Sequence, residues 1–437
     1  MLLSGIDRLG PFSLGNGGSV GLPIVATREN GAKRAPKLRH MMRASSALPS
    51  EYRRIVPEVA RVAVLQVSMW PSRVSMFEHL SDRVGHLRVF ISTAVEPGRP
   101  WALAAGRVDV VIQKTISLAS YWRHPLGFRD RHYIRFPFDS YTQLRRFRPD
   151  VTISLELGLR TVMAALFRMV HRRNRLVIWV CMTEHQQSGH RPVRTLLRRG
   201  LIRLADAVVA NGSSAKRYMM HLGYPEKRIF VVPTVCDLDS FLSVVPICPQ
   251  AGVRRLGYVG RLVEGKGLVQ FLKRLDAFVR RCPSIQIVFE IYGYGPLVSA
   301  LTGAAHSSNL TVVYKGSLSL DDRPKAYASV DIFAFPTLSD EWGLVVNEAM
   351  ASGLPVLGSK YSQAVEDLVE DGTTGWTFAP DNEGEVDRAI QRALQAPDST
   401  IRSMGQRARQ AVASVSPVRG AGAMLEAITY VLGQPNK

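Results

Sequence analysis

Short apolar runs alternate with amphipathic stretches along most of this 437-residue chain. The first run, RVAVLQVS at 61–68, has the nearly unbroken apolar character of a strand buried on both faces. The same reading predicts a helix at 72–84 and strands at 87–92 and 108–112. A looser stretch with Pro97, Pro100 and Trp101 separates those two strands. A helix at 139–147, strand 151–155, helix 157–172, strand 176–181, helix 191–204, strand 207–210, helix 213–222 and strand 229–232 complete a first series. From 238 to 252 the period fades through two prolines, which predicts an interdomain linker. A second series follows: strand 255–259, helix 268–280, strand 285–292, helix 296–304, strand 310–314, helix 322–328 and strand 331–335. A helix from about 344, strand 355–358 and helix 382–394 extend it, and a last helix covers 417–432. Strands alternating with helices imply an α/β fold of two Rossmann-like, doubly wound domains facing one another across a cleft. The expected bounds are 57–245 and 252–415, with 416–437 as a terminal helix. Residues 1–56, rich in Gly, Ser, Pro and Arg without a period, are expected to be disordered or leader sequence outside the fold.

Charge sharpens this picture. Residues 1–250 hold 37 Lys and Arg against 17 Asp and Glu, whereas residues 251–437 hold 19 of each, so the net charge of +20 lies entirely in the first part. Such asymmetry points to an anionic partner, of which a membrane surface is the favoured candidate, or else to a solvated Arg-rich surface. A nucleic-acid partner is rejected, because interleaved aromatics and any recognisable reader motif are missing. No apolar run approaches the ~20 residues that span a bilayer; the best, 157–170, is broken by Arg160 and Arg168. Cys181, Cys236, Cys248 and Cys282 are scattered without metal or redox spacing, as in a cytoplasmic protein with reduced thiols.

Three stretches carry candidate chemistry. The first is TLSDEWGLVVNEAMASGLPV at 337–356. Gly343 permits a tight turn into a helix whose start, Gly343, Leu344 and Val345, offers unpaired N–H groups and a positive dipole end to a phosphate. Asp340 and Glu348 flank that start, and carboxylates hydrogen-bond well to sugar hydroxyls. On its own the segment also fits an ordinary capped helix. The second is GYVGRLVEGKG at 257–267, where Gly260 allows close backbone approach and Arg261 and Lys266 bring two cations to one loop. Paired cations neutralise a diphosphate leaving group without a metal. The third, IYGYGP at 291–296, ends a strand with Gly293 where ligands sit in such sheets. Asp237 and Asp239 form an Asp-x-Asp pair, a spacing that can hold a metal ion. Its place near the linker argues against that reading.

SDEWGLVVNEAMASGLPV resembles the signature of retaining glycosyltransferases of family 4, which have the GT-B fold. That pattern is an acid, seven residues, an acid, then Ala-Met-Ala-x-Gly-x-Pro-Val; here the acids are Asp340, where the family usually has Glu, and Glu348. The 257–267 loop is similar to the family's diphosphate loop, and VYKGSL at 313–318 to the stretch bordering the base. The resemblance implies that Arg261, Lys266, Gly260, Gly293, Gly343, Leu344, Val345 and Glu348 hold the donor. It implies Asp340 on the sugar, Glu348 on the ribose, and Asp340, Glu348 and His185 as the catalytic set. His185, in MTEH after strand 176–181, is also a candidate acceptor contact. The family's glycine-rich loop after the first strand is replaced by MWPSR, which nominates Arg73 for an acceptor phosphate. The implied activity is metal-independent transfer, with no cofactor, from a UDP- or GDP-sugar to a glycan or lipid-linked acceptor in cell-surface polysaccharide or glycolipid synthesis. The implied location is cytoplasmic, peripheral on the inner face of the membrane. The alternative is an inactive nucleotide-sugar-binding scaffold or sensor. The GT-B resemblance also implies that the last helix crosses back to the first domain.

Overall fold

The computed structural model describes residues 59–96, 103, 105–187, 192–247, 252–304, 306–319 and 321–434, with the backbone alone at 130–132. The expectation for residues 1–56 lies outside these, as does Cys248. Two parallel sheets organise the described residues, as the alternating pattern implies. In the first lobe β1 (Arg61–Gln66), β2 (His86–Ile91) and β3 (Asp109–Ile112) are followed by β4 (Thr115–Arg123) and β5 (Arg129–Pro137), then β6 (Val151–Leu155), β7 (Arg175–Val180), β8 (Ala207–Ala210) and β9 (Ile229–Val231). Seven of these strands make one sheet in the order β3-β2-β1-β6-β7-β8-β9. β6 and β7 are buried throughout, which explains their continuous apolar text.

β4 and β5 stand apart as an antiparallel hairpin, with Thr115 opposite Pro137 and Arg123 opposite Arg129. The apolar pattern of the sequence assigns no element to residues 113–138. Much of the ribbon is exposed, so it lacks the apolar run that marks a core strand. The signal available was the alternation of Ile116, Leu118 and the paired Ile134 and Phe136 about a Pro-Leu-Gly turn.

The second lobe holds β10 (Val253–Val259), β11 (Gln286–Tyr292), β12 (Leu310–Gly316), β13 (Ile332–Phe335), β14 (Val356–Ser359) and β15 (Gly375–Phe378), ordered β12-β11-β10-β13-β14-β15. β15 and the helices Gln363–Leu368 and Asp398–Val412 were not anticipated. The last of these buries Ile401, Met404, Gly405, Ala408 and Val412, a helical spacing whose small residues weaken the apolar signal. The segment read as a linker contains a short helix, Asp239–Leu242, whose Phe241 packs edge-on against Tyr327 of the second lobe.

The final helix, Pro417–Leu432, packs on the first-lobe helix Pro71–Ser81. Gly420 sits where a Cβ would lie 2.9 Å from Val235 and 3.2 Å from Met76. The lobes also touch directly. Ala215 N–H donates to Gln363 Oε1 at 3.0 Å, and Gln363 Nε2 donates to the Cys181 carbonyl at 3.0 Å. Arg217 bridges Glu184 of its own lobe and Glu366 of the other.

Candidate active site

In each sheet the order of connection reverses at one place, between β1 and β6 in the first and between β10 and β13 in the second. Chain segments diverge there beyond the strands' carboxyl ends and leave a crevice that suits ligands. The loops after β10 and β13 carry the two strongest motifs of the sequence. The structure brings them together.

After β10 the backbone turns at Gly260 (φ +154°), whose N–H donates to the Tyr292 carbonyl at 3.0 Å. At Gly293 (φ +145°) a Cβ would fall 1.8 Å from the Gly260 carbonyl oxygen, so the two strand ends meet only because this residue has no side chain. A short 3₁₀ turn, Glu264–Lys266, then aims Lys266 at the segment after β13. Its ammonium donates to Asp340 Oδ2 and lies 5.5 Å from the centre of the Phe335 ring. Burial would raise the Asp340 carboxyl, but Lys266, the Trp342 amide and Arg261 together hold it below the ordinary carboxylate value. Trp342 is buried, and its indole N–H donates to Asn347 Oδ1 at 2.9 Å, which pins the loop to the helix that follows. That helix, Leu344–Ala351, starts from Gly343 at φ +102°.

Glu348 stands on the same helix with only 3% of its surface exposed. Burial raises its carboxyl, and Arg323 and the Tyr327 hydroxyl act in the opposite sense. Arg323 donates to one oxygen and Tyr327 to the other, at 2.8 Å for the hydroxyl. Arg323 was missed in the sequence, because it reaches Glu348 from the helix Arg323–Ala328, 25 positions away.

A cavity of about 710 Å³ lies between the lobes. Arg261, Lys266, Asp340 and Glu341 face it from the second lobe. The first lobe contributes Glu156, Gly158 and Arg160 after β6, Arg194 and Arg198 from the helix Pro192–Ile202, and Trp122, Phe128 and Arg135 from the hairpin. Phe128 packs against Gly265, where a Cβ would lie 2.9 Å from its ring, so the hairpin tip rests on the Arg261–Lys266 loop.

The residues nominated from sequence do not all reach this space. Gly343, Leu344, Val345, Gly260, Gly293 and Glu348 surround the two loops without lining the cavity, whereas Arg261, Lys266 and Asp340 line it. His185 stacks on Tyr361 of the second lobe at 4.1 Å between ring centres, and burial lowers its pKa. Arg73 is buried between Trp70 and Trp179, its guanidinium carbon 4.3 and 4.1 Å from the ring centres, and donates to Gln66 and Cys181. Neither His185 nor Arg73 lines the cavity.

Glu156 was not nominated. It is a non-glycine residue at φ +67°, with one carboxylate oxygen accepting the Cys181 N–H at 2.6 Å. Burial first, and the charge of Glu341 across the cleft second, push its carboxyl up to about 7. Left-handed backbone at a non-glycine residue, a raised acid and a position beyond the carboxyl end of β6 make Glu156 a candidate functional residue. The rule that ligands sit at strand ends was the one sequence signal that pointed there.

Comparison with known proteins agrees with this geometry. Residues 78–240 match the model of "Glycosyltransferase Family 4" and residues 253–396 that of "Glycosyl transferases group 1". The sulfoquinovosyl transferase SQD2 of Arabidopsis thaliana is 33% identical over 157 residues, 35% of this chain and 29% of that protein. The 2-deoxystreptamine glucosyltransferase of Streptomyces kanamyceticus is 27% identical over 51% of this chain and 60% of its own length. The aligned regions thus span between about a third and three-fifths of these relatives' lengths. Among solved structures, Anabaena HepE in complex with UDP superimposes with a TM-score of 0.60 at 17% identity, covering 84% of this chain and 99% of that one. The two lobes, the paired switch-point loops and these matches together place the chain in the family 4, group 1 glycosyltransferases of GT-B fold.

Proposed function

We propose that this protein transfers a sugar, with retention of anomeric configuration, from a UDP- or GDP-sugar to a glycan or lipid-linked acceptor. The observation that carries the reading is the convergence of Lys266 on Asp340, with Arg261 beside them, on one wall of the interlobe cavity. A departing nucleoside diphosphate develops charge at its bridging oxygen, and fixed cations in a water-poor site stabilise that charge without reorganising. Arg261 and Lys266 are such cations, and the start of the helix Leu344–Ala351 adds the positive end of its dipole. Asp340 both orients Lys266 and offers an oxygen to a sugar hydroxyl. The family resemblance assigns Glu348 to the ribose; Arg323 and Tyr327 hold it at the cavity's edge, with acceptor capacity left on its oxygens.

Support comes from the relatives' names, which are those of glycosyltransferases, and from HepE, whose structures hold UDP and UDP-glucose. Retention follows from the family 4 resemblance. The same reading makes the first lobe the acceptor side and an anionic membrane surface its setting, in keeping with the charge of residues 1–250. Because the cations come from side chains, transfer proceeds without a metal or other cofactor.

The test is transfer from a panel of UDP- and GDP-sugars, with and without a chelator. Transfer that survives the chelator supports the proposal. Strict dependence on Mn²⁺ or Mg²⁺, or donor binding without any turnover, contradicts it.

A further inference from the structure

We infer that the first lobe docks on an anionic membrane through one apolar, arginine-fringed face made by the helices Leu159–Val170 and Pro192–Ile202 and the β4–β5 hairpin. The helix Leu159–Val170 buries Thr161, Ala164, Ala165 and Phe167 and turns Leu166, Met169 and Val170 outward, with Met169 57% exposed. On the helix Pro192–Ile202 the outward stripe is Val193, Leu196 and Leu197, and both leucines are 70% exposed. Ile116 and Leu118 of the hairpin are exposed as well. The helix Leu159–Val170 touches both the helix Pro192–Ile202 and β5, the strand paired with β4, so the three elements are neighbours. Solvated helices normally carry polar residues at such positions, and a large apolar area with a polar rim marks an interaction site.

Charge identifies the occupant. Between Glu156 and Asp206 the chain has ten arginines and a single acid, Glu184. Arg172, Arg173, Arg199 and Arg203 are exposed at the ends of the two helices, and none forms an ion pair among the described residues. A second copy meeting this face symmetrically would bring the same positive charge to it, whereas anionic headgroups complement it. No helix among the described residues is long and apolar enough to cross a bilayer, so the face lies on the surface with its leucines at the headgroup boundary. Leu159 belongs to this face and also lines the interlobe cavity, which places the bilayer at the cavity's first-lobe rim.

The inference extends the membrane-surface part of the function proposed above and rests on it only for the acceptor's route. Its test reads binding without any transfer reaction, and transfer to a soluble acceptor is measured separately. The full chain is floated with vesicles of phosphatidylcholine and phosphatidylglycerol at roughly 3:1, and with phosphatidylcholine alone. Flotation with the anionic vesicles that weakens as salt rises is the expected result. Leu196→Glu/Leu197→Glu should lower it about tenfold or more, and Arg199→Ser/Arg203→Ser should flatten its salt dependence. These positions are exposed, so the thermal midpoint should not move. Leu166→Glu/Met169→Glu is a second, separate disruption of the face with the same expected loss. Equal binding to both vesicle types, unchanged binding by both glutamate variants, or a dimer in light scattering that the glutamate variants dissociate in the absence of vesicle binding would each overturn the inference.

Discussion

Lys266 and Asp340 form an ion pair at the candidate site, and loss of either takes that partner from the other. Removing the ammonium by Lys266→Ala takes a donor from the departing diphosphate, which should lower kcat/KM by about 10²–10³. It also leaves a largely buried carboxylate without its partner, so the thermal midpoint should fall, and Asp340→Asn in the same background should recover most of that fall without restoring transfer. Asp340 titrates below its unfolded value. Its contribution to stability is therefore present above the ordinary carboxylate range and is lost as pH falls through the depressed folded pKa. Glu156 works in the opposite sense. Its carboxyl, raised to about 7, binds a proton more tightly when folded, so it weakens the fold progressively as pH rises from about 4.5 to 7. Glu156→Gln should raise the thermal midpoint at pH 8, with the gain shrinking toward pH 5; an equal gain at both values would contradict that origin. Asp340, Lys266 and Arg261 were legible because motif spacing carries them. Glu156 was not, because one acid in an apolar run gives no spacing to read.

At the scale of elements, the central core strands were visible, whereas the short edge strand β15 and the ribbon were not. β6 and β7 are buried on both faces, and each reads as an apolar run. The hairpin β4–β5 is largely exposed; β5 touches the helix Leu159–Val170 of its own lobe, and its tip reaches across the cleft to Gly265. Local pattern therefore had little to report. Its tip is the testable part: Phe128 is 7% exposed and rests on Gly265, one residue before Lys266. Phe128→Ala should loosen the Arg261–Lys266 loop, raising KM for the donor and making residues 115–137 easier to cleave by protease, with little change in the far core. Gly293→Ala tests the close approach of β10 and β11. A methyl cannot fit 1.8 Å from a carbonyl oxygen, so the substitution should cost about 1–3 kcal/mol or more and disable the site with it.

For the whole molecule, the two-lobed plan followed from alternation of strand and helix, and two of the motifs fall on one wall of the interlobe cavity. The contacts between lobes did not follow, since they join residues such as Arg217 and Glu366 that lie 149 positions apart. Neither did the fate of Arg73 and His185, because nothing in a linear text separates an arginine sealed between two tryptophans from one that lines a cavity. The central claim is that side-chain cations on the second lobe receive a nucleoside diphosphate. The most direct test is thermal unfolding of the wild type and of Arg261→Ala/Lys266→Ala with increasing UDP and GDP. For the wild type one of the two should add about 2.7 kcal/mol of stability at 100 times its dissociation constant, and the double variant should gain almost nothing over the same range. Equal stabilisation of both proteins, or of neither, would contradict the account.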